Sequence, residues 1–264
     1  MHLAQELVDY IIDLVQDDPT TLLRVSLVSR AWVGRTRAYL CESLKITHSK
    51  LSSSDPSCLA PLCDYVKILH FAWPRGTVDP SSILDCFEQS EPHTLAIHSC
   101  ELHSLDGQTI RRYFAKFPCA SITALELYDI SPSCETFLIL LSLFPNVDDL
   151  TISVNEWEDG PGSEYQEIIQ HFPSPPLRGS FKFLDPPGHK TWSYFRGEIL
   201  RVIAALPLQF QTVSLDYDEQ CGVEISTFLK SCSKTVKKVF IGRPQRKSWP
   251  RTSSAVPCSQ CANS

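Results

Sequence analysis

Histidine and cysteine most often carry metal or nucleophilic chemistry, and the chain holds 8 His and 11 Cys among its 264 residues. His98, Cys100 and His103 lie close together in "IHSCELH". Side chains alternate along a strand and a turn follows, so these three diverge, and no fourth ligand accompanies them. Cys258 and Cys261 form a C-x-x-C in a Ser-rich stretch without a second pair at zinc-finger spacing. There is no phosphate loop, no Gly-x-Ser-x-Gly elbow and no paired-histidine zinc helix. The sequence therefore predicts no metal, no cofactor and no catalytic residues, and its chemistry is expected to be that of recognition.

The elements that would position recognition residues come from a repeat. An apolar-x-x-apolar-x-apolar template is met by Val66, Leu69, Phe71; by Ile122, Leu125, Leu127; by Val147, Leu150, Ile152; by Phe210, Val213, Leu215; and by Val236, Val239, Ile241. Weaker matches begin at Pro92 and Arg178 and fill the two gaps, so that the template recurs at a near-constant period, at or above the upper end of leucine-rich-repeat spacing. Helix-like stretches such as "GQTIRRYFAKF", "CETFLILLSLF" and "FRGEILRVIAAL" lie between them. Strand followed by helix, repeated at this period, predicts an α/β leucine-rich-repeat-like solenoid with parallel strands on the concave side and helices on the convex side.

Strand alternation then assigns the residues between the apolar positions to the concave face. His70, Ala96, Glu126, Thr151, Lys182, Ser214 and Phe240 form one row, and Ala72, His98, Tyr128, Ser153, Leu184, Asp216 and Gly242 the next. His98, Glu126, Tyr128, Lys182 and Asp216 are the expected contacts for a bound protein. Trp73, Trp157 and Trp192 stand in segments leaving strands at one edge, "WPRG", "NEWEDGPGS" and "DPPGHKTWSY", and are expected to be exposed anchors, the alternative for Trp157 and Trp192 being that they pin their loops to the solenoid.

The N-terminal segment has a different pattern. Leu3, Leu7, Ile11 and Leu14 recur at helical spacing, with Val8, Ile12 and Val15 beside them and acidic residues opposite. Asp18-Pro19 can start a second helix carrying Leu22, Leu23, Val25 and Leu27, and Ser29 a third carrying Trp32. Three helices this short can hardly hide their apolar surface among themselves.

This stretch resembles the F-box through Leu3, Glu6, Leu7, Ile11, Leu22, Leu27, Val28, Ser29, Arg30 and Trp32; Ala4 stands where the pattern has proline. With the degenerate repeats and phrases such as "FPNVDDLTIS", the whole is similar to the large fungal group of F-box proteins. The resemblance implies that Leu3, Leu7, Ile11, Leu22, Leu27, Val28 and Trp32 dock on a Skp-type adaptor and, through it, a cullin. The repeat domain would then hold a substrate protein for ubiquitin transfer. The expected domains are an F-box over 1–44, a linker over 45–65, about seven repeats over 66–242, and a basic tail over 243–264. The alternative is a scaffold outside any ligase, whose N-terminal helices cap the repeats.

The odd, unpatterned cysteines fit reduced thiols in a cytoplasmic or nuclear protein. A net charge of −6 argues against a nucleic-acid partner, although eight Lys and Arg follow Glu224 with no further acidic residue. The most apolar run, "FLILLSLF", falls far short of the roughly 20 residues that cross a bilayer, so no membrane association is expected.

Overall fold

A computed structural model describes residues 4–47, 58–72, 79–99, 105–154, 157, 169, 176–184, 193–216 and 221–242. Its first three helices are α1 (Gln5–Asp13), α2 (Pro19–Ser26) and α3 (Arg30–Leu40). The residues that start them act as the sequence predicts. The Asp18 carboxylate accepts from the Thr20 and Thr21 backbone N–H groups, with Pro19 behind it, and Ser29 Oγ accepts from Ala31 N–H. Ala4 precedes α1 at φ −60° without a side-chain cap, a backbone angle that proline also adopts.

Beyond them runs a single eight-stranded parallel sheet whose strand order equals the sequence order. Its strands are β1 (Ser43–Ile46), β2 (Ile68–Ala72), β3 (Thr94–His98), β4 (Ala124–Ile130), β5 (Asp149–Val154), β6 (Leu177–Phe183), β7 (Leu208–Asp216) and β8 (Lys238–Gly242). Between them the described helices are α4 (Ala60–Cys63), α5 (Ser81–Leu84), α6 (Gly107–Tyr113), α7 (Cys134–Leu143), α8 (Ser193–Ala204) and α9 (Gly222–Ser231). Each crossover advances by one strand in the same direction, and right-handed crossovers then place all their helices on one face. The chain is thus α/β, as expected.

All seven template matches become strands, including the weaker ones at β3 and β6. Two expected boundaries are corrected. The sheet has an eighth strand, because Ser43–Ile46 pairs in parallel with Ile68–Phe71, ahead of the first template match. The stretch read as a linker contributes to the sheet and the core: Ile46, Leu62 and Cys63 are buried. The template missed β1 because one short strand with a polar first residue and a lysine in its middle offers too few apolar positions to match.

The main core lies between one sheet face and the helices. Leu69 and Phe71, Leu95 and Ile97, Leu125 and Leu127, Leu150 and Ile152, Phe181 and Phe183, and Val213 and Leu215 project into it. Helix α7 is buried on nearly every side, which accounts for its lack of a polar face. The N-terminal helices build a second, separate cluster of Val8, Ile12 and Leu22, with Val15, Val25, Trp32, Tyr39 and Leu40 packed around it. Across its edge Arg35 donates from two guanidinium nitrogens to both carboxylate oxygens of Asp13, at 2.9 Å each, tying α3 to α1.

Candidate functional site

Two surfaces stand out, one on the N-terminal helices and one on the open sheet face. On the helices, Val8 and Ile12 occupy the inner side of α1, so Leu7 and Leu14, displaced around the helix, point outward, 53% and 67% exposed. Leu27 and Val28, in the turn between α2 and α3, are 75% and 67% exposed. Tyr10 and Ile11 join them as exposed large apolar residues. Few protein surfaces collect this many within one short helix, its end and one turn.

The expected docking residues therefore divide. Leu7, Ile11, Leu27 and Val28 are exposed, whereas Leu22 is buried in the small core and cannot meet a partner without unfolding it. Trp32 is half-buried against the same core. Leu3 lies outside the described residues. Tyr10 and Leu14, absent from the expected set, follow the same three-to-four-residue spacing as Leu7 and Ile11.

On the sheet, strand register reproduces the two rows. Lys45 pairs with His70, His70 with Ala96, Ala96 with Glu126, Glu126 with Thr151, Thr151 with Lys182 and Lys182 with Ser214. One step on, Ala72 pairs with His98, His98 with Tyr128 and Tyr128 with Ser153. Three rings cluster where the rows meet. His98 and Tyr128 stack with centroids 5.1 Å apart and planes 21° from parallel, and His70 lies 5.7 Å from His98 on the other side. His70 Nδ1 and His98 Nε2 are 3.4 Å apart, one nitrogen donating to the other. Glu126 stands two residues before Tyr128 on the same strand and the same sheet face.

Burial sets the charge state here. It pushes the His98 imidazole down to about 4, with His70 and then Lys45 adding to the effect and Asp129 opposing it. His70 is also lowered, first by burial and then by Lys45, against the pull of Glu126. The Tyr128 phenol is raised, by burial and then by Glu126. All three rings are therefore neutral at pH 7. Immediately after the ring pair, Ser99 and Asp129 both take left-handed backbone angles, φ 51° and 56°, and Ser99 Oγ donates to Asp129 Oδ2 at 3.1 Å. The same kink thus follows β3 and interrupts β4 before Ile130, and the hydroxyl-to-carboxylate bond links the two.

Of the expected contacts, His98, Glu126 and Tyr128 come together, with His70, Lys45, Ser99 and Asp129 completing the group. The signal for His70 lies in the register: it pairs with Ala96, two positions before His98 on the neighbouring strand, which makes the two histidines diagonal neighbours. Lys182 is exposed two strands from Glu126, roughly 10 Å away, and Asp216 stands a strand further on. Thr151 and Ser153, between the two groups, are buried rather than open.

Trp157 is a correction. It is 3% exposed and meets Phe137 of α7 edge-on at 5.8 Å, so it belongs to the main core and is no exposed anchor. A tryptophan beside Pro, Gly and charged residues looks exposed in sequence, but here its ring packs against Phe137 of α7. Trp73 and Trp192 lie outside the described residues, as do Cys100, His103, Cys258 and Cys261. Among the described residues, no three of His, Cys, Asp and Glu converge as a metal site, and no helix is long and apolar enough to cross a membrane.

In comparison with known proteins, the chain matches no family model and no curated protein.

Proposed function

We propose that the chain is the substrate-recognition subunit of a Skp-cullin-F-box ubiquitin ligase, and that it is not itself an enzyme. Its three N-terminal helices are an F-box that binds a Skp-type adaptor, and its sheet is the concave surface of a leucine-rich-repeat-like solenoid that binds the substrate protein. The observation carrying this reading is the exposure of Leu7, Ile11, Leu14, Leu27 and Val28 on a helical unit that already has its own core. Residues so placed stabilise little in the isolated chain, and burying each against a partner would contribute on the order of 1.5 to 3 kcal/mol.

The capping alternative asks for the opposite arrangement. A helical cap on the repeats would spend Leu7 and Leu27 against the main core, yet the two clusters are separate and both leucines are exposed. The test is co-purification of a Skp-type adaptor with the full chain and with a Leu7→Asp, Leu27→Asp variant. The wild type is expected to retain the adaptor, and the variant to lose it at unchanged thermal stability. Equal retention by both proteins discards the F-box reading.

A further inference from the structure

Strand β8 ends the sheet, and among the described residues no strand pairs with its outer side. Val239 and Ile241 pair in register with Val213 and Leu215, which are buried, yet they are 44% and 51% exposed, and Phe240 between them is 57% exposed on the other face. The opposite edge differs, since Ile46 of β1 is buried and Leu44 packs against the main core. We propose that the β8 edge is a docking surface for an extended, acidic and apolar segment of a partner protein, which joins the sheet as a further strand. This surface is distinct from the sheet face and from the N-terminal helices, so it goes beyond the reading above.

Register shows which backbone groups are free for that strand. In a parallel ladder, alternate residues turn their N–H and C=O groups to opposite neighbours. Open-face positions donate to the preceding strand, as Leu184 N–H does to the Ile152 carbonyl at 2.8 Å. The parity of Leu95 and Ile97 turns to the following strand, as Ser99 N–H does, two residues after Ile97, to the Tyr128 carbonyl at 3.0 Å. Val239 and Ile241 have the parity of Leu95 and Ile97, so their N–H and C=O groups point outward, where no described strand meets them. Such an edge pairs with another extended chain, the main-chain bonds giving affinity and the alternate side chains selectivity. Here those side chains are Val239 and Ile241, with half-buried Leu229 and Val236 on the helix side, and Phe240 on the other.

Charge selects the occupant. From Ile225 to Gly242 the chain has Lys230, Lys234, Lys237 and Lys238 and no Asp or Glu. All four lysines are exposed, and among the described residues no carboxylate pairs with them. Lys237 Nζ donates to the neutral Gln211 Oε1 at 3.4 Å, which leaves its charge in place. Asp216 pairs with Gly242 at the far end of β8, and Glu224 in the first turn of α9 is taken by Arg201. Positive charge therefore gathers where β8 begins. Residues 243–264 carry Arg243, Arg246, Lys247 and Arg251 with no acidic residue, and a second copy would set the same lysines against one another. Like charge disfavours both as the added strand, whereas an acidic segment is attracted. The lysines that keep the edge from pairing with itself thus determine its partner.

The experiment uses the full chain with acetylated Glu-Glu-Val-Thr-Val-Thr-Val amide as the probe, following affinity by calorimetry and the Val239 and Ile241 amides by hydrogen exchange. The probe is expected to bind and to protect both amides, which exchange fast in the chain alone. Replacing Glu-Glu by Lys-Lys reverses the charge, and replacing the central Thr-Val by Pro-Pro removes backbone donors of both parities; each is expected to weaken binding tenfold or more. Lys234→Gln, Lys237→Gln, Lys238→Gln is expected to weaken it as much at unchanged thermal stability. Arg24→Gln, Arg111→Gln, Arg178→Gln removes equal charge from exposed places elsewhere and is expected to change affinity less than twofold. Equal binding of the proline probe, equal weakening by the two variants, or unprotected amides in the complex overturns the proposal. So does protection of both amides in the chain alone, which would assign the edge to residues 243–264 or to a second copy. Loss of adaptor co-purification would leave this result untouched and count against the ligase reading alone.

Discussion

The indole of Trp157 meets the ring of Phe137 edge-on, 5.8 Å between centroids with the planes 70° apart. Phe137 is fully buried on α7, so the contact fixes the indole of Trp157 in the main core. Trp157→Ala should cost about 3 to 5 kcal/mol, because it removes a large side chain from a packed interior. Urea unfolding measures this directly, and a loss under about 1 kcal/mol would place the indole at the surface.

Acid should weaken the fold through His98. Its folded pKa of about 4 lies below the ordinary value of 6.5, so between these values the unfolded chain binds the extra proton. Stability is therefore full above pH 6.5, declines as pH falls towards 4, and has no further His98 contribution to lose below that. The ring is partly exposed, and water screens the effect to on the order of 1 kcal/mol. His98→Gln should flatten the pH 4 to 6.5 segment of the stability profile relative to wild type. Parallel profiles would show that the ring is solvated in the folded chain.

The small helical core predicts opposite outcomes for neighbouring leucines. Leu22→Ala removes a buried side chain and should destabilise the three helices by about 2 to 5 kcal/mol. Leu27→Ala alters a residue 75% exposed and should stay within about 0.5 kcal/mol. Hydrogen exchange at α1 to α3 amides distinguishes the two; equal protection in both variants contradicts the burial.

Gly179 has the left-handed φ of +68°, where the pairing of β6 with β7 shifts register. A Cβ there would collide with the Asp148 carbonyl oxygen, and backbone cannot swing aside as a side chain can. Gly179→Ala should therefore cost more than the roughly 1 kcal/mol of left-handed strain alone. A thermal midpoint within about 2 °C of wild type would refute the close approach.

Strands β2 to β7 were legible in the sequence because each buries two apolar residues at i and i+2 against the helices, a pattern that the template reads directly, and β8 carries the same pattern with Val239 and Ile241 exposed. The two rows were legible for the same reason, since strand alternation leaves no freedom once the buried positions are known. The ring cluster was only half visible: register gives His98 beside Tyr128, but the lean of His70 across a diagonal and the kink at Ser99 and Asp129 depend on side-chain and backbone angles. On the helices, spacing alone showed that Leu7, Leu22 and Leu27 are apolar. Which of them the small core absorbs depends on how three helices cross, and that is a tertiary property.

Strand order carries a consequence for how the chain acquires its structure. Successive strands begin at nearly even intervals, and among the described residues none pairs with anything but its sequence neighbours. The entropy of closing each loop is therefore small and nearly uniform, and no strand must wait for a remote segment. As the chain leaves the ribosome, β2 can join β1 before β3 exists, and so on along the sheet. The growing end is always an edge, and at β8 Val239, Phe240 and Ile241 are still exposed on it. Order should then form from the N-terminal side and fray from the C-terminal side.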